Sequence, residues 1–533
     1  MSLEQSQGIQ GPESNCQGVW TRRFVWLLLM TAGVRLAFLL LSPLELSPDE
    51  AYYWDWSRNL AWGYYSKPPM VAWLIGAATS ILPVSEVGVR FPAVLLNVLA
   101  LAGIFLCGRK MADDKAGFIA ALTYVATIGS AVAGYIMTID APLLCFWVWT
   151  LYFFSSGIDE ARKGSKQAWL WWLFAGVMCG LGLLSKQTMV ALTFASALFL
   201  FSLRDTRGFL KQKGPYLFFL VQFIMVVPFL LWNYRNGWIT FLHTAHHFEG
   251  AEKARHLRIG TFFELLGSQI GIITPLIFFL VFCAAIASLA VIARNLKRSP
   301  QSVAWPLLGP IYLEISGFFP LAAVFLLSFT QRVNANWPAP FYLSLCILLG
   351  IWLHAQWAQS RWQDRCRALF PRAILLGLFL VILTYSVPFI FVYTPLEGKP
   401  FDPTVRLRGW RQLGIEAQEL FESLPRPNMS FVVARRRQTA SELAFYMKDR
   451  PRVYRWNGFA RKIKSQYELW PGPIDKLGWD ALVIIDVEKD IKGLDRCFSS
   501  FTFLKRIKVP LGNGRFRVFN AYLGRRLEKW APT

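Results

Sequence analysis

Charged residues are scarce in this chain of 533 residues. Asp, Glu, Lys and Arg make up 17% of it, whereas they make up about 25% of a typical soluble domain. Because 54% of the residues are hydrophobic, the shortage of charge excludes an ordinary soluble protein and indicates an integral membrane protein. Acidic residues are especially few, and the net charge is +23. Much of this surplus lies in short loops between apolar segments, which argues against nucleic-acid binding.

Cysteine and histidine are also sparse, with eight and five residues. The large C-terminal segment contains only Cys497, so it has no internal disulfide. No cysteine spacing is typical of a metal–thiolate site, and neither a P-loop nor a dinucleotide-binding motif is present. The sequence therefore predicts no required cofactor. A divalent metal stays a weak alternative, discussed below with the histidines.

Long apolar segments predict a polytopic α-helical membrane protein. Eleven segments approach the length that spans a bilayer, and uncertain boundaries allow up to thirteen. The segment 69–82 is apolar but short, which predicts a re-entrant or surface helix. The predicted spans are 22–42, 88–108, 115–133, 140–157, 167–184, 187–203, 215–233, 268–293, 305–328, 337–353 and 372–394.

Basic residues recur in every second loop, and this regularity predicts the orientation. By the positive-inside rule, a tail over residues 1–21 is cytoplasmic and residues 395–533 lie on the opposite side, the periplasm in a bacterium. The segments 431–434 and 481–485 predict buried strands, and 439–447 predicts a helix between them. Residues 395–533 therefore predict an extracytoplasmic α/β domain after a transmembrane domain over 22–394.

Asp49 and Glu50 follow the first span directly and are candidate catalytic carboxylates. Charges at a bilayer edge often mark function, and a carboxylate there could deprotonate an acceptor hydroxyl. Ser-Pro-Asp-Glu is equally a good helix start, so a capping role is the alternative. Lys67, with Tyr64 and Tyr65 as hydroxyl donors, is a candidate phosphate ligand. A lysine near a helix end also commonly reaches lipid headgroups, and the two readings are about even.

Further candidates lie in other loops on the same predicted side of the membrane. Asp140 is a lone acid at a helix end, where an N-cap is the alternative to a catalytic role. Lys186 and Asn336 are candidate substrate ligands, and Arg332 is a candidate phosphate ligand. Each could instead be an interfacial anchor. Glu314 falls within a predicted span, which makes it a candidate without a specific role.

The loop 234–267 carries four of the five histidines. His246 and His247, with glutamates nearby, could bind zinc. The same loop could instead fold over a phosphate, with Arg255 and Arg258 as its ligands. The pattern alone leaves both interpretations open.

The motifs taken in order resemble a known family. Ser47-Pro48-Asp49-Glu50-Ala51-Tyr52-Tyr53, Ser66-Lys67-Pro68-Pro69, Thr138-Ile139-Asp140-Ala141-Pro142, Leu184-Ser185-Lys186 and Asn336-Trp337-Pro338-Ala339-Pro340 are similar to motifs of the bacterial protein-mannosyltransferase-like family. That family includes the lipid A aminoarabinose transferases, which are GT-C glycosyltransferases. The resemblance covers roughly residues 22–394.

The resemblance implies a function. A polyprenyl-phosphate sugar would be the donor, and lipid A, lipopolysaccharide, another glycolipid or a protein would be the acceptor. It implies Asp49 as the acid/base, Asp140 as the second acid, and Lys67 with Tyr64 at the donor phosphate, within a catalytic loop over 43–87. Tyr52 replaces an arginine of the lipid A enzyme, and Ser66 replaces a glutamate that helps to hold its zinc ion.

Two other classes of protein are weaker alternatives. A transporter or flippase would place ionisable residues near the bilayer midplane and would show repeat-related halves, whereas most acids here cluster at one interface. A non-catalytic scaffold would not explain why Asp49, Lys67 and Asp140 fall on one side. The sequence therefore favours a membrane glycosyltransferase of the bacterial inner membrane.

Overall fold

The computed structural model describes residues 13–246, 257–298, 307–355, 359–459 and 463–530. Helices occupy the described chain as far as Tyr393, with a π-helical turn at Glu314–Phe318. These helices are α1 (Glu13–Leu41), α2 (Pro48–Ser57), α3 (Met70–Ile81), α4 (Glu86–Met111), α5 (Asp114–Val125), α6 (Ile128–Ala133), α7 (Asp140–Arg162), α8 (Ala168–Leu183), α9 (Val190–Ser202), α10 (Arg204–Arg207), α11 (Lys213–Arg235), α12 (Ile239–Ala245), α13 (Ile259–Ile273), α14 (Pro275–Arg298), α15 (Leu308–Leu313), α16 (Phe319–Leu327), α17 (Ala339–His354) and α18 (Arg361–Tyr393).

The helical part is that of a multi-pass membrane protein. Among the described residues, seven helices are long and apolar enough to cross a membrane, or eight if the pair bent by 104° at Leu203 is one span. This is fewer than the eleven to thirteen predicted, although every predicted segment overlaps a helix. The segment 115–133 breaks after Val125, and 268–293 breaks at Thr274, whose φ is +71°. The predicted spans 167–184 and 337–353 form helices of only 16 residues each.

A five-stranded sheet follows the helical part. Its strands are β1 (Ser430–Ala434), β2 (Val453–Arg455), β3 (Asp480–Asp486), β4 (Phe498–Pro510) and β5 (Phe516–Leu527), in the spatial order β2-β1-β3-β5-β4. Strands β2, β1 and β3 run parallel, and β5 pairs antiparallel with β3 and β4. Two helices, α19 (Trp410–Glu422) and α20 (Arg437–Tyr446), complete this domain. The predicted α/β domain and its strands at 431–434 and 481–485 are confirmed.

The sheet domain packs on α2. The hydroxyl of Tyr52 accepts a hydrogen bond from the amide of Gln466 at 2.5 Å, and Tyr467 donates to Asp55 at 2.7 Å. The ring of Trp54 contacts Phe445 edge-on at 4.9 Å. Aromatic side chains are typical of helices in the lipid headgroups, but those of α2 are buried against protein. The domain is thereby fixed above the end of α2 that carries Asp49.

Candidate active site

The start of α2 is fixed by a closed network of charges, the Glu50 cluster. Ser47 caps the helix, and Glu50 accepts the Ser47 amide at 2.9 Å in a capping box. Arg90 of α4 donates to both oxygens of Glu50, at 2.8 and 2.9 Å, and the Met137 amide donates at 3.0 Å. The carboxylate thus has two donors on each oxygen and is fully buried. Glu50 has no acceptor site left for a substrate, so we remove it from the catalytic candidates.

Asp49 differs completely from its neighbour. Its side chain is 55% exposed, and one oxygen, Oδ1, accepts a hydrogen bond from Arg437 at 2.8 Å. Arg437 begins α20 of the sheet domain and lies over the Tyr52 ring at 4.6 Å. Arg437 thereby orients the Asp49 carboxylate while the second oxygen makes no hydrogen bond to the described residues. This geometry leaves Asp49 able to accept a proton.

Asp140 begins α7 and contacts residues from two distant segments. Its Oδ1 accepts from the Lys186 ammonium at 2.7 Å, and its Oδ2 accepts from the Asn336 amide at 2.7 Å. Both charged side chains of the pair are mostly buried. The carboxylate makes no capping hydrogen bond, so the capping interpretation of Asp140 is wrong. The three candidates named from separate loops form one polar group.

Lys67 lies in the loop between α2 and α3 and is half-buried. Its ammonium makes no ion pair within the described part of the chain. Burial lowers the pKa of Lys67, the ammonium of Lys186 lowers it further, and the Asp140 carboxylate opposes both effects. Asp49 and Arg437 also lie close enough to influence it. Together, Asp49, Lys67, Asp140, Lys186 and Asn336 form what we call the Lys67 site.

The two tyrosines beside Lys67 have different roles. Tyr64 is fully buried and stacks on Trp56 at 4.4 Å. Its hydroxyl lies 3.2 Å from the carbonyls of Trp56 and Asn59 and from the amide of Ala61. Tyr64 therefore shapes the loop that carries Lys67 and is not placed to hold a phosphate. Tyr65 is half-buried and its hydroxyl makes no hydrogen bond among the described residues, so it stays a candidate ligand.

An apolar cavity opens directly beside the Lys67 site. Its volume is about 290 Å³, and its polar lining residues include Asp140, Asn336, Thr138 and Gln269. Its remaining walls come from helices of the membrane part. The apolar wall includes Ile128, Ile136, Leu144, Ile272, Ile273 and Leu343. A charged headgroup could therefore lie at Asp140 while an attached hydrocarbon chain occupies the cavity.

The arginine candidates lie away from this group or outside the described residues. Arg332 is 76% exposed and forms an ion pair with Glu264. Arg258 is exposed, and its backbone amide donates to the Phe329 carbonyl at 2.6 Å. The structure brings neither of them to the Lys67 site through a contact. Arg255 lies outside the described residues, so its predicted role stays a prediction.

The predicted zinc ligands lie only partly within the described residues. His246 follows α12, whereas His247 lies outside the described residues. Among the residues that the structure does describe, no three His, Cys, Asp or Glu side chains converge as metal ligands would. Ser66 supplies no carboxylate where the resembled family has a glutamate. We therefore assign no step of the chemistry to a metal.

Comparison with known proteins places the chain in context. Residues 66–232 match the family described as dolichyl-phosphate-mannose-protein mannosyltransferase. The lipid A galacturonosyltransferase RgtD of Rhizobium johnstonii is 26% identical over 61% of this chain and 64% of its own length. An undecaprenyl phosphate-α-4-amino-4-deoxy-L-arabinose arabinosyl transferase of Pseudomonas aeruginosa is 25% identical over 40% of this chain and 36% of its own length. The matches thus span less than two thirds of these curated relatives.

A solved structure decides the fold. ArnT from Cupriavidus metallidurans bound to undecaprenyl phosphate superposes with a TM-score of 0.62, covering 95% of this chain and 98% of ArnT at 16% identity. The chain has the GT-C fold. The predicted resemblance to the bacterial protein-mannosyltransferase-like family, which includes the lipid A aminoarabinose transferases, is confirmed. In this GT-C protein the sheet domain and the Lys67 site meet at α2.

Two important contacts were not predicted from the sequence. Arg437 belongs to a run of three arginines whose composition is typical of a solvated face, yet it pairs with Asp49. Arg90 lies early in a predicted span and completes the Glu50 cluster. A charged residue within a predicted span was a usable signal for Arg90. No local pattern could connect Arg437 to Asp49 across 388 positions.

Proposed function

We propose that this chain is a glycosyltransferase of the bacterial inner membrane. It transfers a sugar from a polyprenyl-phosphate donor to an envelope glycolipid of the lipid A type. The observation that carries the proposal is the Lys67 site, in which two carboxylates and two ammonium groups lie near one another and Asp140 also lines an apolar cavity. The names of the relatives support the same donor and acceptor classes.

The isoprenoid chain of the donor would lie in the apolar cavity, and its phosphate would bind the Lys67 ammonium. An isoprenoid chain requires an apolar seat, and a phosphate requires a cation that is not already neutralised by a carboxylate. Lys67 fits this requirement better than Lys186, whose ammonium is 2.7 Å from Asp140. The leaving group is a lipid phosphate anion, so a nearby positive charge stabilises the transition state as the bond to the sugar breaks.

Asp49 would act as the general base. The acceptor hydroxyl attacks the anomeric carbon and transfers its proton to Asp49 while the carbon–oxygen bond to the phosphate breaks. The bonding electrons leave with the polyprenyl phosphate, and a single displacement of this kind inverts the anomeric centre. Asp140 is less suited to this role, since both of its oxygens are already hydrogen-bonded. We assign it to the orientation of Lys186 and Asn336.

The orientation in the membrane is part of the same proposal. The basic loops support a cytoplasmic tail over 1–21 and a periplasmic domain over 395–533. The Lys67 site lies on the side of the sheet domain, because Asp49 contacts Arg437 of that domain. Transfer would thus occur at the periplasmic face, where a lipid-linked donor replaces a nucleotide sugar.

The first prediction tests this chemistry with the full-length protein in lipid nanodiscs. Polyprenyl phosphates carrying galacturonosyl or 4-amino-4-deoxy-L-arabinosyl groups are mixed with lipid A, and mass spectrometry detects the added sugar. Asp49→Asn should reduce the rate about 10²–10⁴-fold, because a general base contributes that much, and should leave the melting temperature unchanged. Asp475→Asn, at a 71% exposed carboxylate of the sheet domain, is the charge-matched control.

Two outcomes would contradict the proposal at different points. If Asp49→Asn transfers the sugar at the wild-type rate, Asp49 is not the base. If no donor in the set yields a modified lipid, or if the sugar appears on protein, the substrate class is wrong. The control variant separates either result from a general effect of removing negative charge.

A further inference from the structure

A strongly basic cleft lies at one edge of the sheet domain. Its volume is about 450 Å³, and seven cationic side chains line it against one acidic side chain, Asp490. Its lining comes from positions just after β1, at the end of β2, and just after β3. These three strands are parallel, so their carboxyl ends meet at one edge. Ligands of open parallel sheets commonly bind outside the carboxyl ends of the strands.

Three of the seven cations are neutralised within the protein. Arg436 pairs with Glu488 at 2.8 Å, and Arg455 pairs with Glu468 at 2.5 Å. Arg437 pairs with Asp49, as described above. The other four have no carboxylate partner among the described residues. These four, which define the basic cleft, are Arg435, Lys464, Lys489 and Lys492.

Arg435 is the most informative of the four. It is only 8% exposed, and its guanidinium donates to the carbonyls of Trp456 at 2.8 Å and Asp490 at 3.3 Å. Backbone carbonyls thus fix its position without neutralising its charge. A buried cation without a counter-ion is unfavourable, and a guanidinium has further N–H groups to offer an anion. The burial of Arg435 therefore distinguishes the cleft from a solvated basic face.

The cleft adjoins the proposed base. Arg437 and Gln438 line the basic cleft and also line a second cavity, of about 360 Å³, together with Ser47, Pro48 and Asp49. A molecule bound in the cleft could therefore extend past Arg437 to Asp49. The donor would bind elsewhere, because its lipid chain requires the apolar cavity beside Asp140.

We propose that the basic cleft binds an anionic group, phosphate or carboxylate, on the carbohydrate headgroup of the acceptor. This inference rests on the proposed function and adds the means by which the acceptor is recognised. Four unpaired cations and one acidic side chain leave a surplus of positive charge that a sugar phosphate or a uronate would neutralise. The cleft holds this anion while the acceptor hydroxyl lies at Asp49.

Kinetics with the full-length protein test the role in transfer. Lys489→Glu combined with Lys492→Glu reverses two charges at the cleft and leaves the buried Arg435 in place. We expect the KM for lipid A to rise at least tenfold while the KM for the polyprenyl-phosphate donor stays constant. Lys448→Glu combined with Lys529→Glu, at exposed positions of the same domain, is the charge-matched control. An unchanged KM for lipid A in the cleft variant would overturn the inference.

A binding experiment keeps this inference separate from the proposed function. Calorimetry with glucosamine 1-phosphate, glucuronate, inorganic phosphate and uncharged glucosamine derivatives compares the ligands on the wild type and on both double variants. We expect the two anionic sugars to bind, with at least tenfold weaker binding to the cleft variant only. This result would support the cleft even if sugar transfer failed with every donor. Equal binding of inorganic phosphate and the sugar phosphate would overturn a carbohydrate site.

Discussion

The Glu50 cluster and the Lys67 site lie side by side and use charge in opposite ways. In the Glu50 cluster, all five N–H groups of Arg90 are bonded, and the carboxylate of Glu50 has two donors on each oxygen. In the Lys67 site, the ammonium of Lys67 has no carboxylate partner among the described residues, and Asp49 is more than half exposed. Charge at a membrane edge thus marks function only where its hydrogen-bonding capacity is left open.

The closed network positions the open site. The Glu50 cluster joins the start of α2 to α4 and to the backbone at Met137, three residues before Asp140. Asp49 immediately precedes Glu50 in α2, so the candidate carboxylates Asp49 and Asp140 flank one rigid group. A buried pair of this kind adds little net stability, but losing one partner leaves an uncompensated charge.

The largest effect on stability should therefore come from the closed network. Glu50→Ala leaves the buried Arg90 guanidinium without its counter-ion and should destabilise the protein by about 3–5 kcal/mol. Thermal unfolding in detergent measures this change. Asp364→Ala removes an exposed ion pair with Arg367 and should change stability by less than about 1 kcal/mol. If Glu50→Ala melts like the wild type but is inactive, Glu50 belongs to the open site after all.

The next effect concerns the coupling within the Lys67 site. Asp140→Asn, Lys186→Met and the double variant form a double-mutant cycle, with kcat/KM as the readout. Contacting groups typically couple by about 0.5–3 kcal/mol, so we expect the double variant to lose less activity than the sum of the single variants. Strict additivity would show that the 2.7 Å contact between Asp140 and Lys186 plays no part in transfer.

Sequence patterns predicted the residues of the open site better than the contacts that hold them in position. Short motifs at helix ends contain Asp140, Lys186 and Asn336. The charge of the loops predicts that all three lie on the same side of the membrane. The structure brings the three residues into contact. Tyr64 and Tyr65 show the limit, because adjacent residues of a loop differ in burial for reasons that depend on Trp56.

Composition predicted the class of fold and the positions of the helices, but it did not predict the contacts between distant segments. Apolar segments gave the position of every predicted helix, but not the breaks after Val125 and at Thr274. Aromatic side chains on α2 suit both lipid headgroups and a protein interface, so their pattern could not reveal the sheet domain that covers them. Docking of a domain 388 positions away in sequence decides the environment of Asp49.

A moderate effect is expected from pH, through Lys67. Burial and the Lys186 ammonium hold the pKa of Lys67 below its ordinary value of 10.5. Only the protonated form attracts phosphate, so affinity for undecaprenyl phosphate should fall as pH rises through this lowered pKa. Lys67→Arg should retain its affinity over the same range, because a guanidinium does not titrate there. Identical alkaline profiles for the two proteins would remove Lys67 from the phosphate site.

The smallest effect should follow Arg332→Ala. Its predicted role as a phosphate ligand competes with the exposed ion pair that it forms with Glu264. Exposed pairs contribute about 0–1 kcal/mol. We therefore expect the melting temperature to stay within a few degrees of the wild type and the donor KM to stay within about twofold. Lys67→Ala, measured in parallel, should raise the donor KM well beyond that. A similar rise for both variants would mean that the arginine leaves Glu264 and joins the Lys67 site when the donor binds, which would extend the open site to a second, more exposed loop.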